Sequence, residues 1–433
     1  MNHQIPHFID GKRATTVGDA KPSGRTADVF DPSTGQVQAQ VVLASTDEVA
    51  AAVDIASKAQ KEWAATNPQA RARVMMRFVD LVNENMDELA TKLSLEHGKT
   101  FPDAKGDVQR GIEVIEFSIG IPHLLKGEFT EGAGSGIDVH SVRQPLGVVA
   151  GITPFNFPAM IPLWKIGPAI ACGNAFILKP SERDPSVPVM LAELFTQAGL
   201  PDGVLQVVQG DKEAVDALLN HPDVKALGFV GSSDIAQYIY ATSAANGKRS
   251  QCFGGAKNHM VILPDADLDQ AVDALVGAGY GSAGERCMAI SVAVPVGEAT
   301  ANALREKLTD RVRSLRVGHP LDPKSDYGPL VTAAARDRVI DYIDQGVKAG
   351  AELVVEEGLD EGDQAVAGGH AAGQRQMGHH MLHQADHAER AGSPAIKQRQ
   401  LPHKAQGRRE YEQHVDHCAG ADGGDDGDAL RGA

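Results

Sequence analysis

Apolar residues fall into two rhythms over residues 1–355. In one they recur every three or four positions, the signature of a helix with a single buried stripe. In the other they form short unbroken runs, the signature of a strand covered on both faces. Ser45-Thr-Asp-Glu48 is a capping box and predicts an Ala-rich helix to about residue 65. A second, longer helix is expected from about Gln69 to a stop near Gly98. The segment 126–145 alternates around the glycines of 132–136 and reads as a projecting hairpin. Strands are then predicted over 148–153, 175–179, 204–208 and 226–230, with helices over 158–172, 186–198, 212–219 and 234–243. Strands alternating with helices imply right-handed crossovers and a parallel sheet, hence an α/β fold. Ligands of such a sheet sit at the carboxyl ends of its strands. The glycines of 277–281 have neither a strand before them nor a helix after them and read as a turn.

Both rhythms stop near residue 355. The segment 356–433 has few large apolar residues and no Phe or Trp, and is rich in Gly, Ala and His. So little apolar surface cannot offset chain entropy, and disorder is expected there. Its His, Gly and Arg content looks like an out-of-frame reading. His379-His380 and the His383/His387 pair have metal-ligand spacing, but without an ordered scaffold no metal site is assigned.

The 57 acidic against 41 basic residues leave a net charge of −16, which repels phosphate backbones and argues against a nucleic-acid partner. No apolar run is long enough to span a membrane, and the opening residues contain no signal core. Four irregularly spaced cysteines do not make a disulfide framework. A cytoplasmic protein is expected, in which thiol chemistry is catalytic rather than structural.

Candidate chemistry clusters at predicted strand ends. In Thr153-Pro-Phe155-Asn156-Phe-Pro158 the prolines stiffen the backbone, and Pro158 suits a helix's first turn. Asn156 then serves either as an oxyanion donor or as a helix cap. Lys179 and Glu182 suit the hydroxyls of a ribose, or form an exposed ion pair. Gly231-Ser232-Ser233 leads into a helix N-terminus where a diphosphate could rest, although it is not a G-x-G-x-x-G fingerprint. Cys287, in Gly284-Glu-Arg286-Cys287, follows a Gly-rich approach and adjoins a guanidinium, a setting that favours thiolate. Cys172 and Cys418 read as inert. Arg110 is either a carboxylate fork or one half of a helix-surface pair with Asp107 or Glu113.

In the order PFNFP, KPSE, FVGSS, GGAKN and GERCMA, these motifs resemble the aldehyde dehydrogenase superfamily. Within it, residues from about 5 to 355 are most similar to the CoA-acylating methylmalonate-semialdehyde branch. The resemblance implies a Rossmann-type NAD-binding domain (1–125 and 146–250), an oligomerisation hairpin (126–145) and an incomplete catalytic domain (251–355), with 356–433 lying outside the family pattern. It makes Cys287 the nucleophile and pairs Asn156 with the Cys287 backbone N–H as the oxyanion hole. It assigns Thr153, Phe155, Lys179, Glu182, Gly231 and Ser232 to NAD, and Arg110 and Arg286 to a substrate carboxylate. Hydrolytic members carry a Glu two residues before the Gly-Gly pair; here Cys252 stands there, and reads as a packing residue. A thiol is a poor base for activating water, so the implied acyl acceptor is coenzyme A. The implied reaction converts malonate or methylmalonate semialdehyde to acetyl-CoA or propionyl-CoA with loss of CO2, in a homodimer or homotetramer, as in valine or inositol catabolism. The alternatives are a hydrolytic aldehyde dehydrogenase and an inactive nucleotide-binding remnant.

Overall fold

The computed structural model describes residues 3–355. The chain opens with five short strands, β1 (His3–Ile5), β2 (His7–Ile9), β3 (Lys12–Ala14), β4 (Arg25–Phe30) and β5 (Val37–Leu43). β1, β5 and β4 make a small sheet of their own around Val29 and Val41. Five helices follow: α1 (Thr46–Ala65), α2 (Pro68–Glu84), α3 (Met86–His97), α4 (Phe101–Ile119) and the single turn α5 (Ile121–Leu124). The capping box at α1 forms as expected: Ser45 Oγ accepts from the Glu48 amide, and Glu48 accepts from the Ser45 amide. The long helix expected from residue 69 is instead two helices. Asn85 closes α2, its side-chain amide donating to the Leu81 carbonyl at 2.8 Å, and the same residue opens α3. Gly98 ends α3 in the left-handed region (φ 97°), and a Cβ there would meet the Pro329 carbonyl at 2.7 Å.

The hairpin is present as β6 (Phe129–Gly134) and β7 (Ile137–His140), exposed along nearly its whole length. Next come β8 (Val148–Ile152), α6 (Met160–Ala171), β9 (Ala175–Lys179), α7 (Ser186–Gln197), β10 (Leu205–Val207), α8 (Lys212–Asn220), β11 (Val224–Val230), α9 (Ser233–Ala245) and β12 (Arg249–Phe253). The sheet order is β12-β11-β8-β9-β10-β2-β3. Its first five strands are parallel, while β2 and β3 add antiparallel at the β10 edge, so the sheet is mixed rather than wholly parallel. The added pair is a two-residue hairpin turning at Asp10 (φ 51°) and Gly11 (φ 74°), the positive dihedrals that such a turn demands.

β8 and β9 are buried at every residue because alternate side chains enter different cores. Val148, Ala150 and Ile152 pack with α1, α8 and α9, whereas Val149 packs with α2, α4, α6 and α7. Since β9 lies on one side of β8 and β11 on the other, the chain reverses direction across the sheet at β8. That reversal opens a crevice beyond the carboxyl ends of β8 and β11.

The last described part is β13 (Asn258–Ile262), α10 (Leu268–Tyr280), β14 (Ile290–Pro295), α11 (Glu298–Arg313) and α12 (Ala333–Lys348). β13 and β14 pair in parallel over a third core that includes Leu275, Leu304 and Leu308. The turn expected over 277–281 is mostly helix: α10 continues through Gly277 to Tyr280. Its buried Leu275, Val276 and Tyr280 outweigh a glycine cost of about 1 kcal/mol. No helix among the described residues is long and apolar enough to cross a membrane. The expectations for 356–433, including Cys418 and the paired histidines, lie outside the described residues.

Candidate active site

The crevice at the chain reversal has a volume of about 680 Å³. Its walls bring together Thr153, Phe155, Asn156, Lys179, Glu182, Gly231, Ser232, Arg286 and Cys287, residues that come from the carboxyl edge of the seven-stranded sheet, the loops that follow its strands and the loop before β14. Of the expected site residues, only Arg110 is not among its lining. Arg110 sits on an exposed face of α4, where it pairs with Glu113 at 3.3 Å.

At the end of β8 the structure excludes one of the two readings of Asn156, the helix cap. α6 begins at Met160, two residues later than Pro158 suggests. Its first amide is capped from another helix, by Asp107 Oδ1 at 2.7 Å, so Asn156 is not the cap. Asn156 Oδ1 is buried without a partner, which leaves the side-chain amide nitrogen as the group available to a reacting oxygen.

Lys179 and Glu182 do form an ion pair, at 3.2 Å, but Lys179 is buried and both residues face the crevice. Burial alone would raise the Glu182 carboxyl. The Lys179 charge and hydrogen bond, with help from Arg183, hold it below the ordinary carboxylate range. Thr153 donates its amide to the Lys179 carbonyl at 3.1 Å, and its buried hydroxyl has no partner. The Phe155 ring lies 4.9 Å from the Arg183 guanidinium and 5.8 Å from the His97 ring. Gly231 does not offer its own amide to a ligand, since that amide donates to the Phe253 carbonyl at 3.1 Å. A Cβ at Gly231 would meet the Phe229 ring at 2.4 Å. The donors at this end belong to the first turn of α9, because Ser232 stands at the N-cap without making a side-chain cap. Val215, Ile235 and Tyr238 line the same crevice and give it an apolar wall. An unpartnered hydroxyl, a buried Lys–carboxylate pair and an uncapped helix start beside an apolar wall fit a dinucleotide.

Cys287 is exposed to this crevice. The loop leading to it is strained: Ser282 (φ 55°), Ala283 (φ 51°) and Gly284 (φ 76°) are all left-handed in succession. Asn258 braces the loop from β13, its amide donating to the carbonyls of Cys287 at 3.0 Å and Ala289 at 2.9 Å. The charge of Arg286 is shared differently from what adjacency in sequence suggests. Its guanidinium pairs with Asp103 on α4 at 2.5 Å and donates to the Gly277 carbonyl at 3.3 Å. Gly281 leaves room for it, since a Cβ there would meet the guanidinium at 2.7 Å. Glu285 also lines the crevice, and burial pushes its carboxyl up to about 8 despite a hydrogen bond from the Val331 amide. Cys252 lies on β12 and packs against the core that contains Phe229. Burial pushes its thiol up, and a hydrogen bond with Ser250 and the nearby Lys165 offset this only in part.

Comparison with known proteins agrees with this geometry. The model of the Aldehyde dehydrogenase family matches residues 20–369. The chain belongs to the aldehyde dehydrogenase family. It is 55% identical over 352 residues to malonate-semialdehyde dehydrogenase of Pseudomonas aeruginosa, covering 81% of this chain and 70% of that one. It is 44% identical to the acylating, mitochondrial methylmalonate-semialdehyde dehydrogenase of Arabidopsis thaliana over 82% of this chain and 58% of the relative. Among solved structures, a Sinorhizobium meliloti 1021 protein complexed with NAD superposes with a TM-score of 0.83 at 59% identity, over 88% of this chain and 79% of that one. As an aldehyde dehydrogenase the chain is an oxidoreductase of aldehydes, with the family's α/β fold.

Sequence reasoning missed several residues that shape this aldehyde dehydrogenase site. Asn258 was in plain view within GGAKN, but only the structure shows it holding the thiol loop. Glu285 likewise stood within GERCMA, whereas Asp103 and Lys99 gave no local signal; all three act across the fold.

Proposed function

We propose that this aldehyde dehydrogenase is an NAD-dependent, CoA-acylating oxidase of malonate or methylmalonate semialdehyde. The observation that carries the reading is the shared crevice. Asn156 and Cys287 line it together with Lys179, Glu182 and the start of α9, while a thiol, Cys252, occupies the position of the hydrolytic base.

Lys179 and Glu182 hold ribose hydroxyls, Thr153 and Phe155 border the dinucleotide, and the first turn of α9 after Gly231-Ser232 receives the diphosphate. NAD, when bound there, supplies the hydride acceptor. Cys287 Sγ adds to the aldehyde carbon, and the Asn156 amide and the Cys287 backbone N–H donate to the oxygen that becomes negative. Loss of hydride from that carbon leaves an acyl thioester on Cys287. A carboxylate β to the thioester leaves as CO2, its electron pair passing into an enolate whose oxygen the same two donors stabilise; the enolate carbon then takes a proton from solvent, leaving an acetyl or propionyl thioester on Cys287. Water is a poor acceptor here, because no carboxylate stands at position 252 to deprotonate it. The thiolate of coenzyme A then takes the acyl group, giving acetyl-CoA or propionyl-CoA and restoring the Cys287 thiolate. Arg286, carried on the loop before the thiol, supplies the positive charge that selects a carboxylated aldehyde; Arg110 on α4, paired with Glu113 outside the crevice lining, would have to leave that partner to join it. The chain also matches the semialdehyde dehydrogenases over four fifths of its length, which supports the substrate class.

Intact-mass analysis with NAD and malonate semialdehyde tests the reading. Without coenzyme A, an acylated Cys287 should accumulate after one equivalent of NADH; with coenzyme A, turnover should continue. Free acid formed equally fast with and without coenzyme A would overturn the acylating assignment.

A further inference from the structure

Beneath the Asn156 segment lies an ion pair that the proposed chemistry does not use directly. Lys99, between α3 and α4, and Asp107 on α4 meet at 3.1 Å with both side chains fully shielded from solvent. A charged pair is costly to bury unless its remaining hydrogen-bonding capacity is satisfied. Here that capacity is spent on one stretch of backbone. Lys99 Nζ donates to the Asn156 carbonyl at 2.8 Å and lies 4.2 Å from the centre of the Phe157 ring. Asp107 Oδ1 accepts from the Met160 amide at 2.7 Å. The pair therefore grips the main chain at Asn156 and again at Met160. The prolines at 154 and 158 limit the backbone freedom between and before those two points.

We infer that Lys99 and Asp107 form a positioning clamp that sets the direction of the Asn156 amide toward the oxyanion formed at Cys287. This rests on Asn156 acting as the oxyanion donor, as proposed above. Neither clamp residue is among the residues lining the crevice, so neither touches the substrate or the dinucleotide. Their effect is exerted through the backbone. An oxyanion donor is useful only if it is already aimed when charge develops, so loosening the segment should slow acylation while leaving ligand binding nearly intact.

The test uses the full chain and three variants, Lys99→Met, Lys99→Arg and Asp107→Asn. Amide hydrogen exchange reports the clamp directly. In Lys99→Met, residues 155–161 should exchange about tenfold faster, the scale of one lost charged hydrogen bond, with α7 as an unchanged reference. Single-turnover acylation of Cys287 at saturating NAD and malonate semialdehyde should slow about 100-fold, while the KM of the aldehyde and the Kd of NAD stay within about threefold. Lys99→Arg keeps the cation and its donors and should recover most of that rate. If Lys99→Met does not fold, Asp107→Asn decides. It retains an acceptor for Met160 but weakens the hold on Lys99, and should show both effects in smaller measure. Exchange at 155–161 that follows the reference helix, or acylation within threefold of the parent in a folded variant, overturns the clamp. A parent chain that never acylates Cys287 refutes the proposed function instead, and the exchange measurement still judges the clamp.

Discussion

Glu96 allows a stability prediction with a definite sign. It lies near the end of α3, is 7% exposed, and accepts a hydrogen bond from the Ser186 amide at the start of α7 at 3.0 Å. Burial pushes its carboxyl up to about 7 from 4.5, with the Ser186 hydrogen bond and the Lys92 charge pulling back only in part. The folded state therefore holds a proton that the unfolded chain releases between those two values. The associated stability is fully present below pH 4.5 and is lost as pH rises through 7. At 1.36 kcal/mol per unit the loss is about 3 kcal/mol. Glu96→Gln stays neutral throughout and keeps an oxygen for the Ser186 amide. Relative to the parent, the variant should gain about 3 kcal/mol between pH 4.5 and pH 8. Titrations that do not couple to Glu96, including His7 (lowered to about 4 by burial) and Glu285, occur in both proteins and cancel in the difference. Asp184, pushed up by burial and by the Glu96 charge, does not cancel, and relief of that repulsion adds to the variant's gain at high pH. Urea unfolding from pH 4.5 to 8, without NAD and at one protein concentration, measures it. Parallel pH profiles for parent and variant, within about 1 kcal/mol, would refute the argument.

Three further outcomes are expected. Cys287→Ala should abolish NADH formation while leaving NAD affinity within about twofold, since the thiol is not part of the dinucleotide contacts; appreciable residual turnover would remove its role as nucleophile. Arg110→Ala should raise the KM of malonate semialdehyde far more than that of propanal, and equal changes on both would return Arg110 to its surface pair with Glu113. Cys252→Ala should cost about 1 kcal/mol in stability, from lost packing on β12, and leave acylation and CoA transfer unchanged. A large loss of turnover would show chemistry at that thiol.

The strands and helices from β8 to α9 were legible because their cause is local and repeated. β8 and β9 are covered on both faces, so their apolar runs are unbroken; α8 carries a single apolar stripe, whereas α6 and α7 are buried on most of their faces. The departures all arise where something distant or chemically specific intervenes. Asn85 breaks a helical rhythm by bonding to its own preceding turn. The β2–β3 hairpin had its signal in Asp10-Gly11, yet which sheet it would join depended on β10, some two hundred residues away in sequence. At the site, residue types that carry chemistry at strand ends converged on one crevice, because the carboxyl edge of a parallel sheet gathers them there. Arg110 did not converge, and the adjacency of Arg286 to Cys287 concealed that its partner is Asp103. Helix spacing shows which residues share a face, but not which other element that face meets.

The Arg286–Asp103 pair leads to one last expectation. A guanidinium already bonded to one carboxylate at 2.5 Å must share its donors if a substrate carboxylate is to use it. Arg286 Nε and Asp103 Oδ2 are both buried without partners, so the fork has an unused donor but its neighbour carries an unused negative oxygen. Two carboxylates on one fork repel. At about 5 Å and an effective dielectric near 20 the cost is about 3 kcal/mol, an upper value for a site this open to solvent. Asp103→Asn keeps an oxygen to orient Arg286 and removes that charge. The KM for malonate semialdehyde should then fall severalfold, while that for propanal, which has no carboxylate, should not move. Raised salt should shrink the difference, because the repulsion it removes is electrostatic. If the malonate semialdehyde KM rises instead, Asp103 serves chiefly to hold Arg286 in place. If neither KM moves, the carboxylate does not reach Arg286, and selection for it must lie elsewhere on the crevice wall.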